Sequence, residues 1–228
     1  MKFTTLKYLI ALYVSLSSEL GAMSQGFVNL NFESARIISD PNGEFYPYSI
    51  AITNALPGWS AFGSTQGDIT YNDPALGSSA VNLWATNGAQ LSGKYSVLLQ
   101  GGFGPGAYIS QTALVPISTE SLVFEAQQTG VGTLSVSLGG QDLDLFALST
   151  GADYTLYSAD VSTFAGQTAQ LTLDALTVPV GYGFNNWNID NISFSSSPIP
   201  EPSVLGLSAL GGVVLAFNCL RKKSGAKK

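Results

Sequence analysis

Residues 133–138 read Thr-Leu-Ser-Val-Ser-Leu, and residues 168–173 read Thr-Ala-Gln-Leu-Thr-Leu. Both alternate with a period of two. Leu134, Val136 and Leu138 share one face, as do Ala169, Leu171 and Leu173, while Ser, Thr and Gln take the other. Such alternation suits a strand with one face in a core and one in water. Outward from these two segments, short apolar runs recur between breaks of Gly, Pro, Asn and Asp. They predict strands near 27–32, 48–53, 68–71, 80–84, 95–100, 107–112, 121–127, 133–138, 142–148, 154–160, 168–174 and 187–194. Between the two chain ends no window carries a sustained 3.6-residue apolar stripe. The fold class is therefore all-β, a β-sandwich over residues 25–197.

The last of these strands changes phase. Trp187 and Ile189 point to one face, whereas Ile192 and Phe194 have the opposite parity. A bulge near Asp190-Asn191 would bring all four apolar side chains into the core and aim Asp190 out of the regular ladder. Trp59 and Trp187 are assigned to the core by the same patterning.

Composition narrows the chemistry. Of 228 residues, 45% are apolar and only 11% charged, against about 25% in ordinary soluble domains. There is no His, which removes His-dependent triads, His-ligated metals and the commonest general base. A single Cys, Cys219, excludes an internal disulfide and a Cys-based zinc site. Charge is sorted by position. Lys2 and Lys7 open the chain, and Arg221, Lys222, Lys223, Lys227 and Lys228 close it. Between residues 27 and 199 only Arg36 and Lys94 stand against thirteen acidic residues, a net charge of −11. Such a domain repels nucleic acid and anionic membrane surfaces.

The two ends read as sorting segments. Residues 1–24 have the order of a signal peptide: Lys2 and Lys7, a short apolar run over 9–16, then Ala22-Met23-Ser24 with small residues where a signal peptidase reads. Cleavage is expected after Ser24 by the export machinery. Residues 203–220 are 18 in number and carry no charge, so as a helix they reach about 27 Å, enough to cross a hydrocarbon core. The basic cluster Arg221, Lys222, Lys223 follows at once and by the positive-inside rule stays cytoplasmic. Pro200-Glu201-Pro202 precedes the predicted transmembrane helix, and its prolines hold the backbone extended.

This arrangement over 198–228 resembles the PEP-CTERM sorting signal of Gram-negative bacteria: a Pro-Glu-Pro triplet, one apolar helix and a terminal basic cluster. The resemblance implies recognition by an exosortase, a membrane cysteine transpeptidase. It would cut near Pro200-Glu201-Pro202 and leave the protein in the cell envelope, on the outer surface or in the extracellular matrix. Before processing, the membrane is itself a partner.

A second resemblance spans most of the middle region. Asn31-Phe32-Glu33, Leu56-Pro57-Gly58-Trp59-Ser60, Gly93-Lys94-Tyr95-Ser96-Val97, Tyr108-Ile109-Ser110-Gln111-Thr112 and Trp187-Asn188-Ile189-Asp190-Asn191-Ile192-Ser193-Phe194 are similar, in this order, to carbohydrate-binding modules with a galactose-binding-like jelly roll. In that family an early Glu and a late Asp, on adjacent strands, help hold a structural Ca²⁺. By position these are Glu33 and Asp190. Carboxylate oxygens are the hard donors Ca²⁺ prefers, and two like charges brought together need a cation between them.

Sugar-binding sandwiches present exposed aromatics to pyranose faces. Loop-like contexts make Tyr46, Tyr48, Trp84, Phe103, Tyr108, Tyr182 and Phe184 the ligand candidates. The Gly-rich stretch 101–106 lacks the Lys-Ser/Thr of a phosphate loop and reads as a mobile loop. Asp142 and Asp144, two apart on a predicted strand, share a face, but a glycosidase needs two carboxylates across a cleft. The expected function is thus non-catalytic glycan binding by an exported domain, with no catalytic residues. The alternatives are a purely structural component of an exopolysaccharide matrix and a glycoside-acting enzyme.

Overall fold

In the computed structural model the described residues are 26–43, 45–63, 68–73, 80–85, 90–102, 106–181 and 183–199. The predicted signal peptide, the triplet Pro200-Glu201-Pro202, the helix over 203–220 and the cluster Arg221, Lys222, Lys223 lie outside them. No helix among the described residues is long and apolar enough to cross a membrane.

The chain order is β1 (Ser49–Ala51), a one-turn α1 (Ile52–Ala55), β2 (Ser60–Phe62), β3 (Asp68–Tyr71), β4 (Ala80–Ala85), β5 (Tyr95–Gly101), β6 (Ala107–Leu114), β7 (Ser121–Gly130), β8 (Leu134–Leu138), β9 (Gln141–Asp142), β10 (Phe146–Thr150), β11 (Thr155–Asp160), a 3₁₀ turn (Ser162–Phe164), β12 (Thr168–Ala175) and β13 (Asn185–Ser195). They form an eight-stranded sheet, β1-β3-β4-β5-β13-β7-β11-β10, and a five-stranded sheet, β2-β6-β12-β8-β9. Every pairing is antiparallel except β3–β4.

Alternation decides what each strand buries. Leu134, Val136 and Leu138 of β8 and Ala169, Leu171, Leu173 and Ala175 of β12 form the inner face of the small sheet. Against them stand Val97 and Leu99 of β5, Leu122, Phe124 and Ala126 of β7, and Trp187 and Ile189 of β13. The result is a β-sandwich with its core between the sheets. Truncating one of the fully buried side chains, such as Leu171→Ala, would cost about 2–5 kcal/mol.

The phase change in β13 is resolved by a bulge, but Asp190 is not aimed out of the ladder as expected: it stays paired with Glu125, and the slip follows it. Pairing with β7 slips between Asp190 and Ser193, and Asn191 takes the left-handed conformation at φ 47°. Ile192 then joins Trp187 and Ile189 in the core, and Phe194 packs on it against Phe27, ring centroids 4.7 Å apart.

Three strand expectations are corrected, and one strand was missed. Residues 27–32 form turns rather than a strand, with Asn29 and Phe32 both at positive φ. Phe32 is nevertheless fully buried beside Trp59, so its apolar character served packing rather than pairing. Residues 48–53 pair only as far as Ala51 before α1 begins. Residues 142–148 divide between β9 and β10, which belong to different sheets. Asp142 therefore ends a strand, Asp144 lies in the connection, and the two do not share a strand face. The short edge strand β2 was not expected, because Ser-Ala-Phe is too brief to show a period.

Candidate functional site

The first predicted pair converges on one loop. Glu33 lies in the N-terminal turns and Asp190 on β13, yet both carboxylates bind the segment that leads into β5. Glu33 Oε1 accepts from the amides of Lys94 (2.7 Å) and Tyr95 (3.1 Å). Asp190 Oδ2 accepts from the Ser92 amide at 3.1 Å, and its Oδ1 from Asn191 at 2.7 Å. Gly93 permits this approach. Its φ is 56°, and a Cβ there would stand 2.2 Å from Glu33 Oε1. The expected adjacency on two strands is corrected: Glu33 sits in a turn, and the shared 92–95 loop rather than a ladder brings the acids together.

Sequence reasoning missed a third acid. Glu125 of β7 pairs directly with Asp190 across the sheet, which places both on one face. Burial, with the charges of Glu125 and Glu33, pushes the Asp190 carboxyl up to about 7, against the pull of the Asn191 and Ser92 amides. Tyr154 donates to Glu125, and that carboxylate raises the Tyr154 hydroxyl's pKa. Glu125 Oε2 and Gln90 Oε1 are buried and accept no hydrogen bond. Among the described residues no group of three or more His, Cys, Asp and Glu side chains converges as a ready metal centre. Two carboxylates are the hard donors Ca²⁺ takes, and Glu125 Oε2, opposite Asp190 and without a hydrogen bond, marks negative charge in need of a cation. Glu33 and Asp190 would hold the ion, which would neutralise that charge.

The predicted aromatic ligand residues that the structure describes do not converge. Tyr46 and Tyr48 are exposed in the turn before β1. Trp84 is half-buried on the outward face of the eight-stranded sheet. Phe184 is exposed in the connection before β13, its ring against Gly130. Phe103 and Tyr182 lie outside the described residues. Tyr108 alone, on the outward face of β6, gains an aromatic partner: the Phe62 ring lies 5.1 Å away at 15°. Phe62 had no signal in the sequence, since its strand was too short to be read.

Around that pair the five-stranded sheet presents an open polar face. Register runs Phe62, Tyr108, Asp174, Ser135 across β2, β6, β12 and β8. The next row is Ser60, Ser110, Thr172, Ser137 and Asp142. Ser135 Oγ donates to Asp142 Oδ1 at 3.2 Å. Asp174 sits mid-row with its Oδ1 buried and without a hydrogen bond, and burial raises its pKa. The backbone of Gly106 lies against it, since a Cβ there would stand 2.5 Å from Oδ1. The cleft behind Phe62, lined by Ile52, Asp68, Ile69 and Val81, has room for about one water molecule, too little for a sugar.

No family profile and no curated protein matches the chain. Among solved structures, the carbohydrate-binding module TmCBM61 in complex with β-1,4-galactotriose overlays with a TM-score of 0.46 at 14% identity, over 75% of this chain and 97% of that one. A cyclase from Fischerella sp. TAU gives 0.43 at 17% identity, over 74% and 94%. The enzymatically active domain of tailspike protein 4 of bacteriophage CBA120 gives 0.37 at 14%, over 61% of this chain and 19% of that one. At such identities and scores none of them assigns a ligand or an activity to this chain.

Proposed function

We propose that the chain is an exported protein of a Gram-negative cell envelope or extracellular matrix, processed by exosortase, whose non-catalytic jelly-roll sandwich binds polysaccharide. The observation that carries the binding half is the row Phe62–Tyr108–Asp174–Ser135. It combines a stacked aromatic pair with a carboxylate and flanking hydroxyls on one open face. Sugars are held by these groups: apolar C–H faces pack on rings while a few polar atoms orient the hydroxyls. Affinity electrophoresis of the full-length chain in polysaccharide gels tests it. Retardation that is lost in Tyr108→Ala at unchanged melting temperature is the expected result.

The delivery half rests on the order of charged, apolar and Pro-flanked segments at the two ends. Mass spectrometry of the mature protein from its native host should find a new N-terminus at Gln25 and a C-terminus near Pro200-Glu201-Pro202. A structural Ca²⁺ held by Glu33 and Asp190 belongs to the same reading, and its readout is a melting shift on chelation. A purely structural role in an exopolysaccharide matrix is favoured by one observation, the dispersal of Tyr46, Tyr48, Trp84 and Phe184 over separate surfaces. No retardation by any polysaccharide would decide for that role. A reducing-sugar release assay is expected to be blank, against the glycoside-acting alternative.

A further inference from the structure

The face that offers Tyr108 to a ligand is also one-sided in charge. Asp174 stands in its middle and Asp142 at its β9 edge, both flanking Ser135. The two cations of the acidic middle region lie elsewhere. Arg36 is in the N-terminal turns, its amide bound to the Asn54 carbonyl at 2.8 Å. Lys94 is in the loop before β5, held by Glu33. Neither element belongs to the five-stranded sheet. Neutral hydroxyls of Ser60, Ser110, Thr172, Ser135 and Ser137 supply the remaining polar groups.

We infer that this face selects uncharged hexopyranose chains and rejects uronate, sulfated or phosphorylated ones, with Asp174 as the acceptor that orients the bound sugar. The inference rests on the glycan-binding reading of the same face. Three features support it. An ionised carboxylate only accepts hydrogen bonds; with Oδ1 sealed against the Gly106 backbone, a sugar hydroxyl would donate to the other oxygen of Asp174, Oδ2. Phe62 occupies one side of the Tyr108 ring and Asp174 is the cross-strand neighbour on the other. A pyranose against Tyr108 therefore lies within reach of the carboxylate. An anionic sugar in that position meets like charge at short range with no cation on its sheet, inside a domain of net charge −11. A neutral sugar loses nothing to that field, so its binding should not depend on salt.

The test is affinity electrophoresis of the full-length chain against neutral galactan, glucan and mannan, and against alginate and dextran sulfate, at 50 and 500 mM NaCl. At least one neutral polymer should retard the protein equally at both salt concentrations, and neither anionic polymer should retard it at 50 mM. Asp174→Asn, which keeps the shape, should weaken neutral binding about tenfold, and Ser135→Ala severalfold, at unchanged melting temperature. Retardation by alginate or dextran sulfate at 50 mM would overturn the charge selectivity while leaving glycan binding intact. Neutral binding indifferent to Asp174→Asn and Ser135→Ala would overturn the role of Asp174. Retardation by none of the five would overturn the glycan reading itself.

Discussion

The outward faces of the two sheets carry the same residue type in the same setting and use it in opposite ways. Asp190 on β13 and Asp174 on β12 are both mid-sheet carboxylates on central strands, and burial raises the pKa of both. Asp190 is closed in: it takes two backbone amides, faces Glu125 and fastens the 92–95 loop together with Glu33. Asp174 is fastened to nothing of that kind: its Oδ1 is sealed against the Gly106 backbone without a donor, in the row beside Tyr108. A carboxylate fastened by backbone amides holds a loop in place, whereas one whose inner oxygen lacks a donor can stabilise the fold little and offers its outer oxygen to a ligand.

The sharpest way to break this contrast is to delete each acid. Asp190→Ala leaves the Ser92 amide without its acceptor and frees the 92–95 loop, and should cost about 3 kcal/mol, or roughly 10 °C in melting temperature. Asp174→Ala removes a half-buried carboxylate whose Oδ1 has no donor and should change stability by less than about 1 kcal/mol while weakening sugar binding. Equal losses on thermal melting would erase the distinction. Gly93→Ala comes next. It displaces Glu33 from the Lys94 and Tyr95 amides and strains a left-handed backbone, for about 2 kcal/mol by chemical denaturation.

Acidity sharpens the comparison further. With its carboxyl at about 7 in the fold and near 4 when unfolded, Asp190 binds its proton more tightly in the native state between those values. In chelator, melting temperature should therefore fall by several degrees as pH rises from 5 to 7.5, then level off. Millimolar Ca²⁺ favours the ionised form, and should flatten that slope and raise melting by a few degrees at pH 7.5. Glu33→Gln should reduce the calcium response, and Asp174→Asn should not touch it. An identical melting curve with and without chelator would remove the ion from the Glu33–Asp190 site. The smallest expected change is Asn191→Gly, within about 0.5 kcal/mol on melting, because Gly accepts φ 47° as readily as Asn does.

Much of this was legible from local pattern. The inner faces of β8 and β12 follow from strict alternation, and the bulge at Asp190-Asn191 follows from the parity of Trp187, Ile189, Ile192 and Phe194. The pairing of Glu33 with Asp190 came from the resemblance to carbohydrate-binding modules rather than from local pattern, and their meeting place on the 92–95 loop was not legible at all. Phe62, Glu125 and the acceptor role of Asp174 were not legible. Each depends on a cross-strand partner: Phe62 on Tyr108, Glu125 on Asp190, and Asp174 on Tyr108 and Ser135. The aromatic residues chosen for loop-like contexts scattered because context along the chain carries no information about which loops share an end of the sandwich.

The order of residues by itself determined the all-β class, the inward side of each long strand and the extreme acidity of the middle region. These are properties of spacing and composition, which act within a few residues or over the whole chain. Only the tertiary structure decided which carboxylate is fastened by backbone amides and which has an oxygen without a donor. That outcome depends on strand register between segments tens of residues apart, and register is set by closing the core as a whole.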